Sequence, residues 1–400
     1  MAEYTDVVVV GGGYAGVMAA NRLTERDDVR VTLVNPRPAF VERIRLHQLV
    51  GGSDDAVVDY QQILARGVRL VVDTATRIDP AARTVTLAGG DSLAYDYLVY
   101  AVGSGSAEPT VPGAAEYAYP ISTLEDAQRL RPVFAGAAAS APVTVVGAGS
   151  TGIETASELA ELGRHVTLVC GRVFGAYLHP KTRRAVAARL VKLGVTLVEG
   201  AGATVTGVTR DAVQLADGRD LPSGVTIWTA GFGVPDLAAR SGLSTDAVGR
   251  MLTDETLTSV DDDRIIAAGD SAAPSNLPVR MSCQSAMQIG PQAAETVLSR
   301  IAGKQPARFE VGLFGQCISL GRGGGVVQYA RRDDTVTGVF ILGSRSMAML
   351  KEGVCKSTVW QLSQEARRPG KLNLWFKDRQ RAKVLRDRAK GSPEVTGQPA

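Results

Sequence analysis

A glycine fingerprint occurs twice in this chain. Gly11-Gly-Gly13-Tyr-Ala-Gly16 follows the apolar run Val7 to Val10, and Gly147-Ala-Gly149-Ser-Thr-Gly152 follows Val143 to Val146. Each copy leads a short buried strand into a helix through a turn that uses glycine three times. The first serves a tight reversal, the second close backbone approach to a pyrophosphate, and the third close helix packing, with a helix N-terminus beyond to hold negative charge. One GxGxxG is weak evidence, but here the surroundings repeat as well. Residues 83–103 and 211–231 each read as a hairpin with a polar glycine turn, then a buried strand ending at a small-residue corner, Ala101-Val-Gly103 and Thr229-Ala-Gly231. The pattern predicts an α/β protein with two related dinucleotide-binding units. Two bound nucleotides make electron transfer between them the economical chemistry.

Composition agrees with a folded protein and excludes several classes. A chain of 400 residues with 45% apolar content is long enough for two or three domains on a prior of ~150 residues each. A net charge of +3 gives no strong field for nucleic acid. The four cysteines, at 170, 283, 317 and 355, form neither CxxC nor CxxxxC, so no local dithiol or zinc pattern is expected and a reducing cytoplasm fits them. No signal-length apolar stretch follows a basic N-terminus, and no run of ~18 apolar residues is present. Any membrane contact is therefore expected to be peripheral.

Along the chain, strand Asp6 to Val10, helix Tyr14 to Thr24 and strand Arg30 to Val34 open the first unit. After the Pro/Gly-rich loop Ser104 to Pro120 come helix Thr151 to Leu162 and strand His165 to Val169 of the second. Strand Ile265 to Asp270 and helix Cys283 to Ile301 are assigned back to the first unit. The expected domains are 1–107 with 250–308, then 108–249, then a C-terminal strand and helix region 309–390 with Gly321-Arg-Gly-Gly-Gly325 between short strands. Residues 391–400 are expected to be a disordered tail.

Taken together, Gly11/Gly13/Gly16, Ala101-Val-Gly103, Gly147/Gly149/Gly152, Thr229-Ala-Gly231 and Gly269-Asp270 resemble the FAD-dependent pyridine nucleotide oxidoreductases with two Rossmann-like domains. Within them the chain is most similar to the type II NADH dehydrogenase branch, over about residues 6 to 365. That closer resemblance rests on Gly152-Ile-Glu154 and on Cys283-Gln284-Ser-Ala286-Met-Gln288, which resembles the branch's AQxAxQ segment with Cys in place of the first Ala. The resemblance implies a glutathione-reductase-like fold with FAD in the first unit and NADH or NADPH in the second. It also implies hydride transfer from nicotinamide to flavin at near-attack distance and delivery of two electrons to a quinone or other small acceptor. The N-terminus of the Cys283 to Ile301 helix is placed to favour the anionic reduced flavin. Two other readings stay open: a soluble protein or biosynthetic acceptor, and an apoptosis-inducing-factor-like redox-signalling flavoprotein.

The same resemblance assigns roles residue by residue. Gly11, Gly13, Tyr14, Ala15, Gly16, Asn35, Arg43, His47, Ala101, Gly103, Gly269, Asp270 and Gln284 are the expected FAD contacts, Asp270 by bonding the ribityl chain, for which the plain alternative is a turn or helix-capping residue. Gly147, Gly149, Ser150, Thr151, Gly152, Arg172 and Gly231 are the expected contacts of the nicotinamide nucleotide. Glu154, between nicotinamide and flavin, and Gln284 with Gln288, four apart on one helix face, are the expected catalytic residues; no metal site is expected. Asn35 stands where an acid usually meets the FAD ribose, and an amide can still bond there. In the second unit Val169-Cys170-Gly171-Arg172 offers no carboxylate for a 2′-hydroxyl and an arginine that tolerates a 2′-phosphate, so NADPH is expected to be used comparably with NADH. Cys170 and Cys355 bring to mind the related sulfide:quinone oxidoreductases, yet Cys170 ends a strand over the nucleotide's adenosine rather than the flavin.

Finally, Lys371 to Lys390 carries eight basic and two acidic residues, with Leu372, Trp375, Phe376, Ala382 and Leu385 roughly on one helical side. It reads equally as a basic helix lying on an anionic membrane surface at the cytoplasmic face and as a solvated helix packed on its own domain or on a second subunit of a homodimer.

Overall fold

Val7, Val8, Val9 and Val10 are buried one after another, so their strand has core on both sides. Val7 and Val9 pack with the helices Tyr14–Leu23 and Cys283–Ile301; Val8 and Val10 pack with Ile78, Val85 and Leu87. This is the burial of a central strand in a parallel sheet covered on two faces. The computed structural model describes residues 4–372 and 376–391. Its first sheet runs Ile265–Ala267, Tyr97–Tyr100, Thr5–Val10, Val29–Asn35, Val68–Val72, all parallel. The strand order reverses at Thr5–Val10, beside the first glycine turn, and an open parallel sheet binds ligands at such a reversal.

The second sheet repeats the plan as Ala118–Pro120, Val225–Trp228, Val143–Val146, Val166–Gly171, Thr196–Glu199, again all parallel with the fingerprint strand in the centre. Each unit carries its three-stranded antiparallel ribbon: Ala75–Asp79, Thr84–Leu87, Ser92–Ala94 in one and Val205–Val208, Ala212–Leu215, Asp220–Pro222 in the other. The internal repeat read from the sequence is thus a repeat of topology.

Ile265–Ala267 pairs with Tyr97–Tyr100, so the first sheet is assembled from chain on both sides of the second unit. Cys283–Ile301 then crosses Tyr14–Leu23 so closely that a Cβ on Gly290 would run into the Ala15 backbone. That approach fixes where the N-terminus of Cys283–Ile301 points. The C-terminal antiparallel sheet, Gly315–Ser319, Gly325–Ala330 and Val336–Gly343, buries Ile318, Leu320 and Val326 in the second unit's core. The long helix Arg345–Arg367 buries Leu362 in the first unit's core. A short helix, Leu46–Gly51, sends Leu46, Leu49 and Val50 of the first unit into the second. These cross-packed elements hold the two nucleotide sites against each other.

Some of this was not in the sequence reading. Leu46–Gly51 and the ribbon of Ala39–Val41 with Val57–Asp59 are too short to carry a periodicity. Of the expected tail, helix Arg381–Gly391 reaches its first residue, whereas residues 392–400, like Trp375, lie outside the described residues. Among the described residues no helix is long and apolar enough to cross a membrane, and no group of three or more His, Cys, Asp or Glu could hold a metal.

Candidate active site

The glycine turns divide their labour as the chemistry requires. Gly11 has φ +105° and Gly147 φ +110°, backbone that a side chain would strain. A Cβ on Gly16 would collide with the Gly11 carbonyl, and one on Gly152 with the Gly147 carbonyl, so these third glycines let helix and strand close together. Gly13 and Gly149 face open space, with nothing within 4 Å of a Cβ built on either. The helices that follow, Tyr14–Leu23 and Ser150–Glu161, begin with no side-chain cap, which leaves first-turn N–H groups for an anion. Two such cradles, one per unit, fit two pyrophosphates.

Between the units lies a cavity of about 870 Å³. Gly11, Gly13, Tyr14, Ala15, Asn35, Arg43, His47, Ala101, Gly103, Gly269, Asp270 and Gln284 line it from the first unit, and Ser150, Thr151, Glu154 and Gly231 from the second. Gly16, Gly147, Gly149 and Gly152 do not line it. Arg172 is exposed and does not reach it, and Gln288 does not reach it either.

Gln288 is a correction. Its Nε2 donates to the carbonyl oxygens of Gln284 (3.1 Å) and Gly312 (3.2 Å), and its Oε1 accepts from the Phe376 N–H at 2.9 Å. A shared helix face put it beside Gln284, but its amide is committed to the protein backbone and braces the helix rather than meeting an acceptor. Gln284, by contrast, lines the cavity with a buried Nε2 that has no partner. Asn35 is also partly committed: Oδ1 accepts from the Gly12 N–H at 3.0 Å and Nδ2 donates to the Arg37 carbonyl at 2.8 Å. It shapes the glycine turn whatever else it binds.

Asp270 sits in a short turn after Ile265–Ala267. Its carboxylate accepts from Ser104 Oγ (2.7 Å) and the Ser282 N–H (3.2 Å), while Arg43 donates to Ser104 Oγ at 3.1 Å. Burial raises the Asp270 carboxyl; the Ser104 bond and the Arg43 charge oppose it. Burial likewise lowers the Arg43 guanidinium against the pull of Asp270.

Glu154 is 7% exposed on Ser150–Glu161, and Lys351 reaches it from the long helix Arg345–Arg367, Nζ to Oε1 at 3.0 Å. Glu154 Oε1 also accepts from the Ser319 N–H at 2.9 Å, and Lys351 donates to the Cys317 carbonyl at 3.1 Å. Burial works to raise the Glu154 carboxyl, but Lys351, His47 and the Ser319 bond outweigh it and hold the group below its ordinary range. Lys351, despite burial, is held well above its own, chiefly by Glu154. His47, 3% exposed, lines the same cavity with an unpartnered Nε2, and burial pushes its imidazole down to about 4.

Lys351 was missed in the sequence, although a signal existed. It falls at helical spacing with Met347, Cys355, Thr358 and Leu362, all buried, and a lysine in a buried stripe demands a partner. From Glu154 the cavity opens past Phe314, Tyr329 and Leu350, each partly exposed, which form an apolar mouth. Cys170 lies outside the cavity wall and Cys355 is fully buried, so these two do not flank a flavin together.

The pyridine nucleotide-disulphide oxidoreductase family matches residues 5–290. An NADH dehydrogenase-like protein of Mycobacterium tuberculosis is 31% identical, over 80% of this chain and 87% of its own length. The type II NADH:quinone oxidoreductase Ndh of the same organism is 30% identical, over 76% and 74%. The solved structure of NDH2 from Plasmodium falciparum in complex with NADH superposes with a TM-score of 0.76 at 15% identity, over 91% of this chain and 97% of that one. The duplicated glycine cradles, the open cavity between them and these likenesses agree: the chain belongs to the pyridine nucleotide-disulphide oxidoreductase family and is an FAD- and NADH-dependent oxidoreductase.

Proposed function

We propose that this enzyme oxidises NADH through FAD and passes two electrons to a quinone-like acceptor entering at the apolar mouth. The observation that carries the reading is one continuous cavity, which joins the FAD-side glycine turn to the Glu154–Lys351 pair and then to Phe314, Tyr329 and Leu350. The name of the M. tuberculosis type II NADH:quinone oxidoreductase supports the same acceptor class. FAD, when bound, supplies the chemistry by taking a hydride from NADH and releasing two electrons.

The chain's own residues bind and orient. The N-termini of Tyr14–Leu23 and Ser150–Glu161 hold the two pyrophosphates, and the Arg43–Ser104–Asp270 chain of bonds fixes the ribityl end. Glu154, kept ionised by Lys351, orients the nicotinamide. The Lys351 ammonium lines the same cavity, and a fixed cation there lowers the barrier by stabilising negative charge that develops on an acceptor oxygen. Gln284 Nε2, without a protein partner, donates to an acceptor carbonyl.

NADH is the principal donor in this reading. Arg172, exposed and outside the cavity wall, is the candidate to admit the 2′-phosphate of NADPH. Against it stands Glu199, paired in register with Gly171 and bonded to the Phe174 N–H at 2.8 Å, which brings a carboxylate to the same strand ends. Comparing kcat/KM for the two nucleotides in wild type and Glu199→Ala tests the balance; the variant should gain with NADPH.

Peripheral membrane contact is part of the proposal in altered form. Leu372 packs against the first unit's core and Phe376 against Phe314 at 5.3 Å, so neither is available as a lipid anchor. The exposed basic side chains Lys383 and Arg386, together with the apolar mouth, remain to meet an anionic surface that carries a lipophilic acceptor. Stopped-flow reduction by NADH, then mixing with menaquinone, ubiquinone or a soluble dye, tests the acceptor. Fast reoxidation by a quinone is expected, and reoxidation by the dye alone overturns the reading.

A further inference from the structure

Two thiols stand in the cavity wall, and the reaction above uses neither. Cys283 begins the Cys283–Ile301 helix, where the family segment has Ala, and Cys317 lies in the strand Gly315–Ser319; both are half-buried and both line the cavity. Lys351 is within electrostatic reach of both, and it donates to the backbone oxygen of Cys317. The same wall holds His47, 3% exposed with an unpartnered Nε2, and Gln284 with an unpartnered Nε2. Buried polar groups without a partner mark a place that a ligand with its own polar atoms completes.

We propose that Cys283 and Cys317 are a covalent modification site for quinones that keep an unsubstituted ring carbon. The proposal rests on the quinone-acceptor reading and deepens it. The sulfur electron pair forms a C–S bond at the open ring carbon. The thiol proton goes to one quinone oxygen and the hydrogen of the attacked carbon leaves as a proton for the other. The product is a hydroquinone thioether: the addition itself reduces the ring, and no further oxidant or reductant is consumed. The Lys351 ammonium, in the same cavity wall, favours the step by stabilising the negative charge that develops on the ring oxygen.

Burial keeps both thiols protonated, that of Cys317 pushed up to about 11. An electrophile free in solution therefore meets little thiolate. A ring already held in the cavity differs, because a positioned pair reacts as if one partner were at about 10⁵ M or more. The cavity thus sorts acceptors by substitution. Fully substituted rings turn over, and rings with an open carbon arylate the wall that binds them.

The test uses the FAD-loaded enzyme and two quinones of nearly equal shape: menadione, with one open ring carbon, and dimethylnaphthoquinone, in which a methyl group blocks it. Peptide mass mapping should find the menadione thioether on Cys283 or Cys317, none on Cys170 or Cys355, and none anywhere with dimethylnaphthoquinone. The label should be lost in the Cys283→Ala, Cys317→Ala double variant. The wild-type map alone decides the question if that variant does not fold. Turnover with NADH is followed in parallel. Reduction of dimethylnaphthoquinone without any menadione thioether at the two cysteines overturns the proposal and leaves the acceptor reading standing. Thioether at those cysteines with neither quinone reduced upholds the modification site and overturns the acceptor reading. Labelling that falls equally on Cys170, or no reaction of any kind, overturns the proposal.

Discussion

Lys351 and Glu154 form a buried ion pair whose two halves come from different parts of the chain. Glu154 was legible because it follows the second glycine triplet at a fixed step; Lys351 was not, because only the packing of Arg345–Arg367 brings it there. Removing one member of such a pair leaves an uncompensated charge, at a cost of about 3–5 kcal/mol. Lys351→Met should lose stability of that order at pH 7, and adding Glu154→Gln should restore much of it in urea melts. In wild type the Glu154 carboxyl is held below its unfolded value. Its contribution is therefore present above the unfolded pKa and lost as pH falls through the lower folded one. In Lys351→Met burial acts unopposed by the lysine, the carboxyl rises, and stability should improve on acidification. His47, coupled to Glu154 by charge, adds a second pH dependence. Its imidazole is depressed from 6.5 to about 4, so the native state refuses a proton that the unfolded chain accepts. Its contribution, about 3 kcal/mol, is present above pH 6.5 and fades as pH falls toward 4. His47→Gln should flatten that part of the stability–pH curve.

At the scale of elements, the glycine turns were the most legible part of the molecule because each glycine answers a steric demand local in sequence. Gly13 and Gly16 separate binding from folding. Gly13 has φ −81° and open space around a built Cβ, so Gly13→Ala should lose FAD, which its methyl group would displace, while melting within a few degrees of the flavin-free wild type. Gly16→Ala drives a methyl group into the Gly11 carbonyl and should cost about 1–3 kcal/mol or more in overpacking. Flavin content and melting temperature measured on both variants check the split; equal flavin retention in Gly13→Ala would contradict it. Gln288 shows where pattern misled. A four-residue spacing specifies a helix face but not what that face meets, and here it meets the 312 carbonyl and the Phe376 N–H.

For the molecule as a whole, the repeat in the sequence carried the two parallel sheets and the return of Ile265–Ala267 to the first of them. It could not carry the C-terminal latch. Arg381, nearly buried, binds Glu255 with both arms of its guanidinium at 3.0 and 2.8 Å and donates to the Pro274 and Leu277 carbonyls. These partners lie far off in sequence, so the sequence left packing on its own domain, packing on a second subunit and lying on a membrane equally open, and Arg381 bears out the first. Arg381→Ala should release residues 376–391 and make them the first site of limited proteolysis, without loss of FAD. The outer edge of Val336–Gly343 pairs with no other described strand and exposes Val339 and Ile341, so it is open to pairing with a further strand, a second copy being the partner to test. Light scattering of Val339→Lys, Ile341→Lys against wild type tests that pairing. The account as a whole depends on FAD and NADH meeting in the one cavity between the two glycine turns. Anaerobic mixing of the purified protein with NADH measures this most directly. Bound FAD in equal amount to the chain, bleached on mixing, is the predicted result; a chain that holds no flavin, or holds one that NADH leaves oxidised, would contradict it.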